Sequence, residues 1–404
     1  MPILQENKFS INPTILFWML VFMSGLGPFS LQIFLPALQD IASDFRVEFA
    51  EAQFALSLSM IAIAIGMLVT GPLADHYGRR PIVILGTILF LIGSLICLMS
   101  WDLTSLITGR IIQAFGGAAG VVIARAVLRD LYADSQNARA MSFVVVAMVV
   151  GPGLAPLAGV ALTEWNGWRT VFVPPLVIGL LTLLAVYTRL PETKNSTKTS
   201  ESSKLGLVAS WKVLFSSRTF NYLNLVSACS ISVFYSVVSG ASYAVQNFMN
   251  GKPEDYGFLL IGMSASFISG NLISGNLVVK FGTVRLMRFG LILGLAVTIF
   301  IFALTAMDIN NKLLLLLGCM VFALSNGFVV ANTQSAAIND VPSVAGKASG
   351  LLGFSQMIMS AVVVQLVAYF LHIGPIAISI SMVISASLAM LLFILAKVPD
   401  DKTA

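Results

Sequence analysis

Apolar runs of about 20 residues, the length a helix needs to cross the hydrocarbon of a bilayer, recur along the whole of this 404-residue chain. The expected spans are 14–37, 52–73, 81–100, 104–127, 140–162 and 169–189, then 220–243, 257–279, 286–306, 313–334, 347–371 and 374–396. Only 10% of residues are charged, whereas a domain surrounded by water carries roughly 25%. Lipid must therefore be the main solvent, and the expected fold is an all-α membrane protein of about twelve transmembrane helices in two six-helix bundles. The first run is too long for a signal-peptide core and shows no clear cleavage pattern, so it should stay as the first helix.

The basic residues test this topology. With the N-terminus inside, eighteen of the 23 Lys and Arg residues fall on the cytoplasmic side and four outside, Arg110 lying within the membrane. That asymmetry follows the positive-inside rule and places both termini in the cytoplasm of a bacterial inner membrane. The net charge of +5 therefore marks sidedness and not a nucleic-acid partner. The chain also repeats. Gly71 and Gly275, like Gly78 and Gly282, are separated by 204 residues, each pair at the end of a span. Two parallel six-helix repeats are a known transporter plan. The expected organisation is an N-terminal bundle over 1–189, a cytoplasmic linker over 190–219 and a C-terminal bundle over 220–404. The Ser/Thr/Lys-rich stretch to Lys204 is too polar to bury a core.

Three motifs stand out. The loop from Gly71 to Pro81 carries Asp75, Gly78, Arg79 and Arg80. Gly71 would allow close helix approach and Gly78 a tight turn. Asp75 would lie just before the next helix, where an anion suits the dipole. A topology-fixing turn accounts for the arginines but not for the whole string. In the fourth span, Arg110, Gln113 and Gly117 share one face at i, i+3 and i+7. Arg110 lies one to two turns inside the outer edge, where it either snorkels outward or faces a polar cavity. The fifth span holds Gly151, Ala155 and Gly159 at spacing four, with Pro152 and Pro156 between them. This stripe suits tight helix packing, and each proline removes a helix hydrogen bond.

The string Gly71 to Arg80 resembles the signature loop of the major facilitator superfamily. The Arg110 segment resembles the arginine motif of its proton-coupled exporters, and the Gly151 to Gly159 segment resembles its antiporter motif. Phe34 to Leu38, Arg125 to Tyr132, Gly167 to Phe172, Leu190 to Thr193, Ala345 to Ser349 and Phe354 to Met357 are similar to the bicyclomycin/chloramphenicol-resistance (Bcr/CflA) branch of drug exporters. The resemblance implies a cytoplasmic gate at Gly71, Asp75, Gly78, Arg79 and Arg80, and export by alternating access. There is one departure. That branch usually has an acidic residue where this chain has Gln32, and an amide cannot bind and release protons near neutral pH. Each of the 18 acidic residues falls in a loop, a tail or at a helix edge.

Candidate cavity residues are Gln32, Arg110, Gln113, Tyr235, Asn326 and Gln356, each equally readable as an interhelical hydrogen bond. The expected function is a secondary exporter of small amphipathic drugs or metabolites, with protons as the candidate coupling ion. The alternative is a uniporter or importer of a metabolite or metal chelator, favoured by Gln32. A non-transporting membrane sensor would want a sizeable soluble domain, and the chain has none. Paired carboxylates, a Ser/His pair and a phosphate-binding loop are absent from the sequence, which disfavours an enzyme. The three cysteines make no metal spacing, so no cofactor or metal is expected. The partners expected are a small-molecule substrate and the bilayer, for a monomer.

Overall fold

The computed structural model describes residues 13–131, 153–193, 207–249, 251–309 and 311–398. The chain divides into two compact units, Met1–Thr199 and Ser200–Ala404, and among the described residues both are helical without strands. In unit 1, helix α1 (Pro13–Ile33) leads through a 3-10 turn into two short helices, α2 (Leu38–Phe45) and α3 (Phe49–Ala52). Then come α4 (Phe54–Tyr77), α5 (Arg79–Leu98), α6 (Leu103–Leu131), α7 (153–166) and α8 (Val173–Arg189). Unit 2 begins with α9 (Leu207–Ser216) and continues with α10 (Arg218–Phe248), α11 (Pro253–Phe281) and α12 (Thr283–Ala306). It ends with α13 (Lys312–Asp340), α14 (Ala345–Phe370) and α15 (Ile376–Ala396).

Eleven segments among the described residues are long and apolar enough to cross a membrane. The expected span 140–162 lies partly outside the described residues, and its described part falls in α7. The long helices overrun the apolar runs at their ends. Leu180, Leu181 and Leu184 form an exposed apolar face on α8, a surface that only lipid covers at low cost.

Glycines set how closely the helices approach. A Cβ on Gly66 of α4 would stand 2.7 Å from Ala118 of α6, and one on Gly93 of α5 only 2.2 Å from the Gln113 nitrogen. Gly120 of α6 would meet the Met23 carbonyl of α1 at 2.0 Å. Without a hydrophobic drive between helices in lipid, such small residues let backbones pack by dispersion. Unit 2 repeats the device: Gly270 of α11 would meet the Leu324 carbonyl at 2.2 Å, and Gly290 of α12 the Ser325 carbonyl at 2.8 Å. A Cβ on Gly159 of α7 would stand 2.3 Å from the Ile33 carbonyl oxygen, and Ala155 and Pro156 are buried on the same helix. Gly151 and Pro152 fall outside the described residues.

Part of the stretch expected as linker is structured. Helix α9 buries Leu214 completely in the core of unit 2, together with Phe220, Met287, Val344 and Leu351. Lys347 Nζ donates to Ser210 Oγ at 2.5 Å. The apolar residues Leu207, Val208, Trp211, Val213 and Leu214 explain this, since the polar composition ends at Lys204.

Candidate functional site

The α4–α5 turn works differently from the expectation. Helix α4 runs through Tyr77, so Asp75 lies in its last turn and not ahead of α5. There it pairs with Arg79 at 2.7 Å, with Arg79 nearly buried and Asp75 exposed. The anion at the N-terminus of α5 is Glu192, whose oxygens accept the backbone N–H groups of Arg79 at 2.9 Å and Arg80 at 3.1 Å. Arg80 Nη2 donates to the Tyr187 carbonyl at 2.7 Å. Gly78 makes the break at φ +104°, a conformation open to glycine. Among the described residues, a Cβ on Gly71 would meet only Val122 Cγ1, at 4.0 Å. Among those residues no helix presses on Gly71 as one does on Gly66 or Gly93.

At the other end of unit 1 a second polar knot forms. Asp44 accepts hydrogen bonds from Trp168 Nε1 at 3.0 Å and Arg169 Nη1 at 2.9 Å. Arg169 also reaches the Ser100 carbonyl at 2.9 Å and lies 4.1 Å from the Trp168 ring centroid. The Gly167-Trp168-Arg169 string thus ties α2, the end of α5 and the start of α8 together.

Between these ends lies the Arg110 cluster. Arg110 is 1% exposed and Gln113 fully buried on α6. Arg110 Nη1 donates to Gln113 Oε1 at 2.6 Å and to the Ser30 carbonyl at 3.2 Å. Gln113 Nε2 donates to Ser94 Oγ at 2.8 Å, and Ser94 Oγ donates in turn to the Phe90 carbonyl at 2.7 Å. The guanidinium carbon lies 4.4 Å from the Phe34 ring centroid. Arg110 therefore points inward and does not snorkel. Gln32 is half-buried and makes no hydrogen bond among the described residues.

In unit 2 the expected residues bind helices together. Gln356 Nε2 donates to Ser227 Oγ at 2.7 Å, and Asn326 Nδ2 donates to the Ser230 carbonyl at 3.2 Å. Both join α10, one from α14 and one from α13. Tyr235 is half-buried, its ring edge-on to Phe234. The position in unit 2 that matches Arg110 is apolar. Gly109 packs on Cys97, and Gly318 packs in the same way on Ile301, so Cys319 stands where unit 1 has Arg110. Around Cys319 lies a cavity of about 60 Å³ lined by Val237, Ala241, Ile301, Leu315 and Met382.

Residues 18–364 match the family model of the Major Facilitator Superfamily. The chain belongs to the Major Facilitator Superfamily. Multidrug resistance protein D of Escherichia coli is 28% identical to it, over 92% of this chain and 93% of that protein. The bicyclomycin resistance protein homolog of Haemophilus influenzae is 25% identical over 86% and 87%. Among solved structures, a D-xylose–proton symporter superposes with a TM-score of 0.75 at 16% identity, covering 97% of this chain and 99% of that one. The facilitator fold of two six-helix bundles and a multi-pass membrane location are established by these matches. So is the likeness to the bicyclomycin-resistance and multidrug-resistance transporters.

Glu192 and Asp44 were not singled out from sequence. For Glu192 the signal was an acid just past an apolar span and level with an Arg-Arg turn. Among the described residues no group of His, Cys, Asp and Glu is placed to hold a metal.

Proposed function

We propose that this chain is a secondary exporter of small amphipathic molecules, working as a monomer by alternating access in the bacterial inner membrane. The observation that carries this reading is the Arg110–Gln113–Ser94 network. An ionisable residue held inside a membrane-spanning bundle marks a transport pathway before it marks a stability device. Relatives named for multidrug and bicyclomycin resistance support export of foreign amphipaths. In this reading Gln32, Arg110 and Gln113 are the candidate cavity residues of unit 1, and Tyr235, Asn326 and Gln356 are those of unit 2. Asp75, Gly78, Arg79 and Arg80 form a gate on the cytoplasmic side, where both termini also lie. Proteoliposomes carrying the parent and Arg110→Ala should differ strongly in substrate flux. Equal flux would remove Arg110 from the pathway and with it the basis of the reading.

A second reading, uniport or import without proton coupling, is favoured by Gln32 and by the placing of the acids. Among the described residues, the carboxylates of the long helices sit in their terminal turns. Flux measured with and without an imposed pH gradient separates the two. Accumulation that follows the gradient supports antiport with protons, and accumulation that ignores it supports the carrier without coupling.

A further inference from the structure

Arg110 has five N–H donors, and only Nη1 is used. Its Nε and Nη2 atoms are buried without a partner. These two atoms share one edge of the guanidinium, the edge that matches the two oxygens of a carboxylate in a bidentate pair. The Nη1 bonds to Gln113 and the Ser30 carbonyl fix the plane of the group, so the free edge is held in one orientation. Among the described residues no acidic side chain pairs with this cation. The ion pairs Arg79–Asp75, Arg169–Asp44 and Lys312–Asp255 lie elsewhere. The Phe34 ring at 4.4 Å offsets part of the charge through its face, but a ring cannot accept two in-plane N–H bonds. Arginine cannot lose its proton to escape the cost of burial, so the bundle carries an uncompensated cation with a prepared fork.

We propose that this fork binds the carboxylate of the transported molecule, so that the substrates are amphipathic organic anions. The carboxylate supplies the missing countercharge, and Gln113 and Ser30 act as the brace that aims the fork. The edge is sealed in the structure described here. The inference therefore rests on the alternating-access reading for how the ligand reaches it.

The test uses the full chain in nanodiscs and three probes of one skeleton: 2-naphthylacetate, 2-naphthylacetamide and 2-naphthylethylammonium. The carboxylate should bind about tenfold or more tightly than the amide, as expected for a charge-assisted pair. Arg110→Lys should weaken carboxylate binding about tenfold, because a point charge replaces a fork, and Arg110→Gln should abolish the preference. Equal binding of the three probes by the parent protein overturns the inference, whether or not the variants fold. Saturating nitrate that reproduces the full thermal shift and leaves no further shift for naphthylacetate also overturns it, since the site would then take an inorganic ion. In proteoliposomes the two readings fail separately. Selective carboxylate binding with no flux of any probe sinks export and leaves the anion site standing. Equal flux of amide, ammonium and carboxylate sinks the anion site and leaves export standing.

Discussion

Glu192 follows Arg79 by 113 positions in the chain, yet its Oε1 accepts the Arg79 backbone N–H at 2.9 Å. With Oε2 on the Arg80 N–H at 3.1 Å, one carboxylate satisfies two of the orphan donors of α5 and sits at the positive end of its dipole. The end of α8 is thereby fastened to the α4–α5 turn. Glu192→Ala should cost about 1 kcal/mol of stability, the usual worth of an N-terminal cap, read as a lower melting temperature in detergent. Gly78→Ala should cost more. A side chain there has φ +104° to adopt and would place its Cβ 2.6 Å from Glu192 Oε2, a strain of about 1–3 kcal/mol before the clash is counted. If Glu192→Ala melts like the parent, the cap is ornamental.

The glycines divide into two classes that look alike in sequence. Gly93 and Gly270 face backbone: a Cβ on them would stand 2.2 Å from the Gln113 nitrogen and 2.2 Å from the Leu324 carbonyl oxygen. Backbone cannot swing aside as a side chain can, so Gly93→Ala and Gly270→Ala should each cost about 1–3 kcal/mol through overpacking. Gly275 has nothing within 4 Å of a Cβ. Gly275→Ala should be neutral, or stabilising by up to about 1 kcal/mol, through helix propensity alone. Thermal melting of the three single variants side by side checks the ranking. A destabilised Gly275→Ala with a parental Gly93→Ala would reverse the assignment.

The apolar runs made the long helices legible, because in lipid a spanning segment has to satisfy its backbone internally and length alone then selects the helix. The half-to-half repeat was legible as well, since Gly78 and Gly282 each break the chain at positive φ. Amphipathic pieces escaped. Helix α2 puts Leu38 and Ile41 inside with Asp40 outside, and eight residues of mixed character read as loop when only hydrophobic length is counted. At the site, Arg110 and Gln113 were readable because their spacing is local to one helix. Ser94 comes from α5, Ser30 from α1 and Phe34 from the turn just after α1, and their approach depends on Gly93 and Gly120, which periodicity does not reveal. Asp75 was misplaced for a related reason. Where α4 ends is decided by the positive φ of Gly78, three residues beyond that acid.

Ser217 holds the junction of α9 and α10 in unit 2. Its Oγ accepts the Phe220 N–H at 3.1 Å as the cap of α10 and also bonds the Asp340 carboxylate at the end of α13. One hydroxyl thus starts one helix and ties down the finish of another, next to α9. Ser217→Ala should lose about 1 kcal/mol as a cap and release the α13 end. Limited proteolysis should then cut faster near the junction of α9 and α10, with the helical content of the protein unchanged. A cleavage rate equal to the parent's would show that the packing of Leu214 and Phe220 holds this junction without the hydroxyl.

Asp102 caps α6, accepting the Ser105 N–H at 2.7 Å while its own N–H donates to Ser105 Oγ at 3.2 Å. Ser105, through its side chain first and its backbone N–H second, holds the Asp102 carboxyl below its ordinary value of 3.8. A carboxyl depressed in the folded protein stabilises it at all pH values above the ordinary one. That contribution is lost as pH falls from there through the lowered value. Asp102→Ala should therefore melt below the parent at neutral pH, and the gap should narrow only under acid conditions, below about pH 4. Asp102→Asn keeps an oxygen for the Ser105 N–H but has no charge to lose, so its melting should lack this acid limb. The three pH profiles, taken in detergent, decide the matter: an Asp102→Ala gap that stays constant down to pH 3 would mean the cap acts through shape and not through its charge.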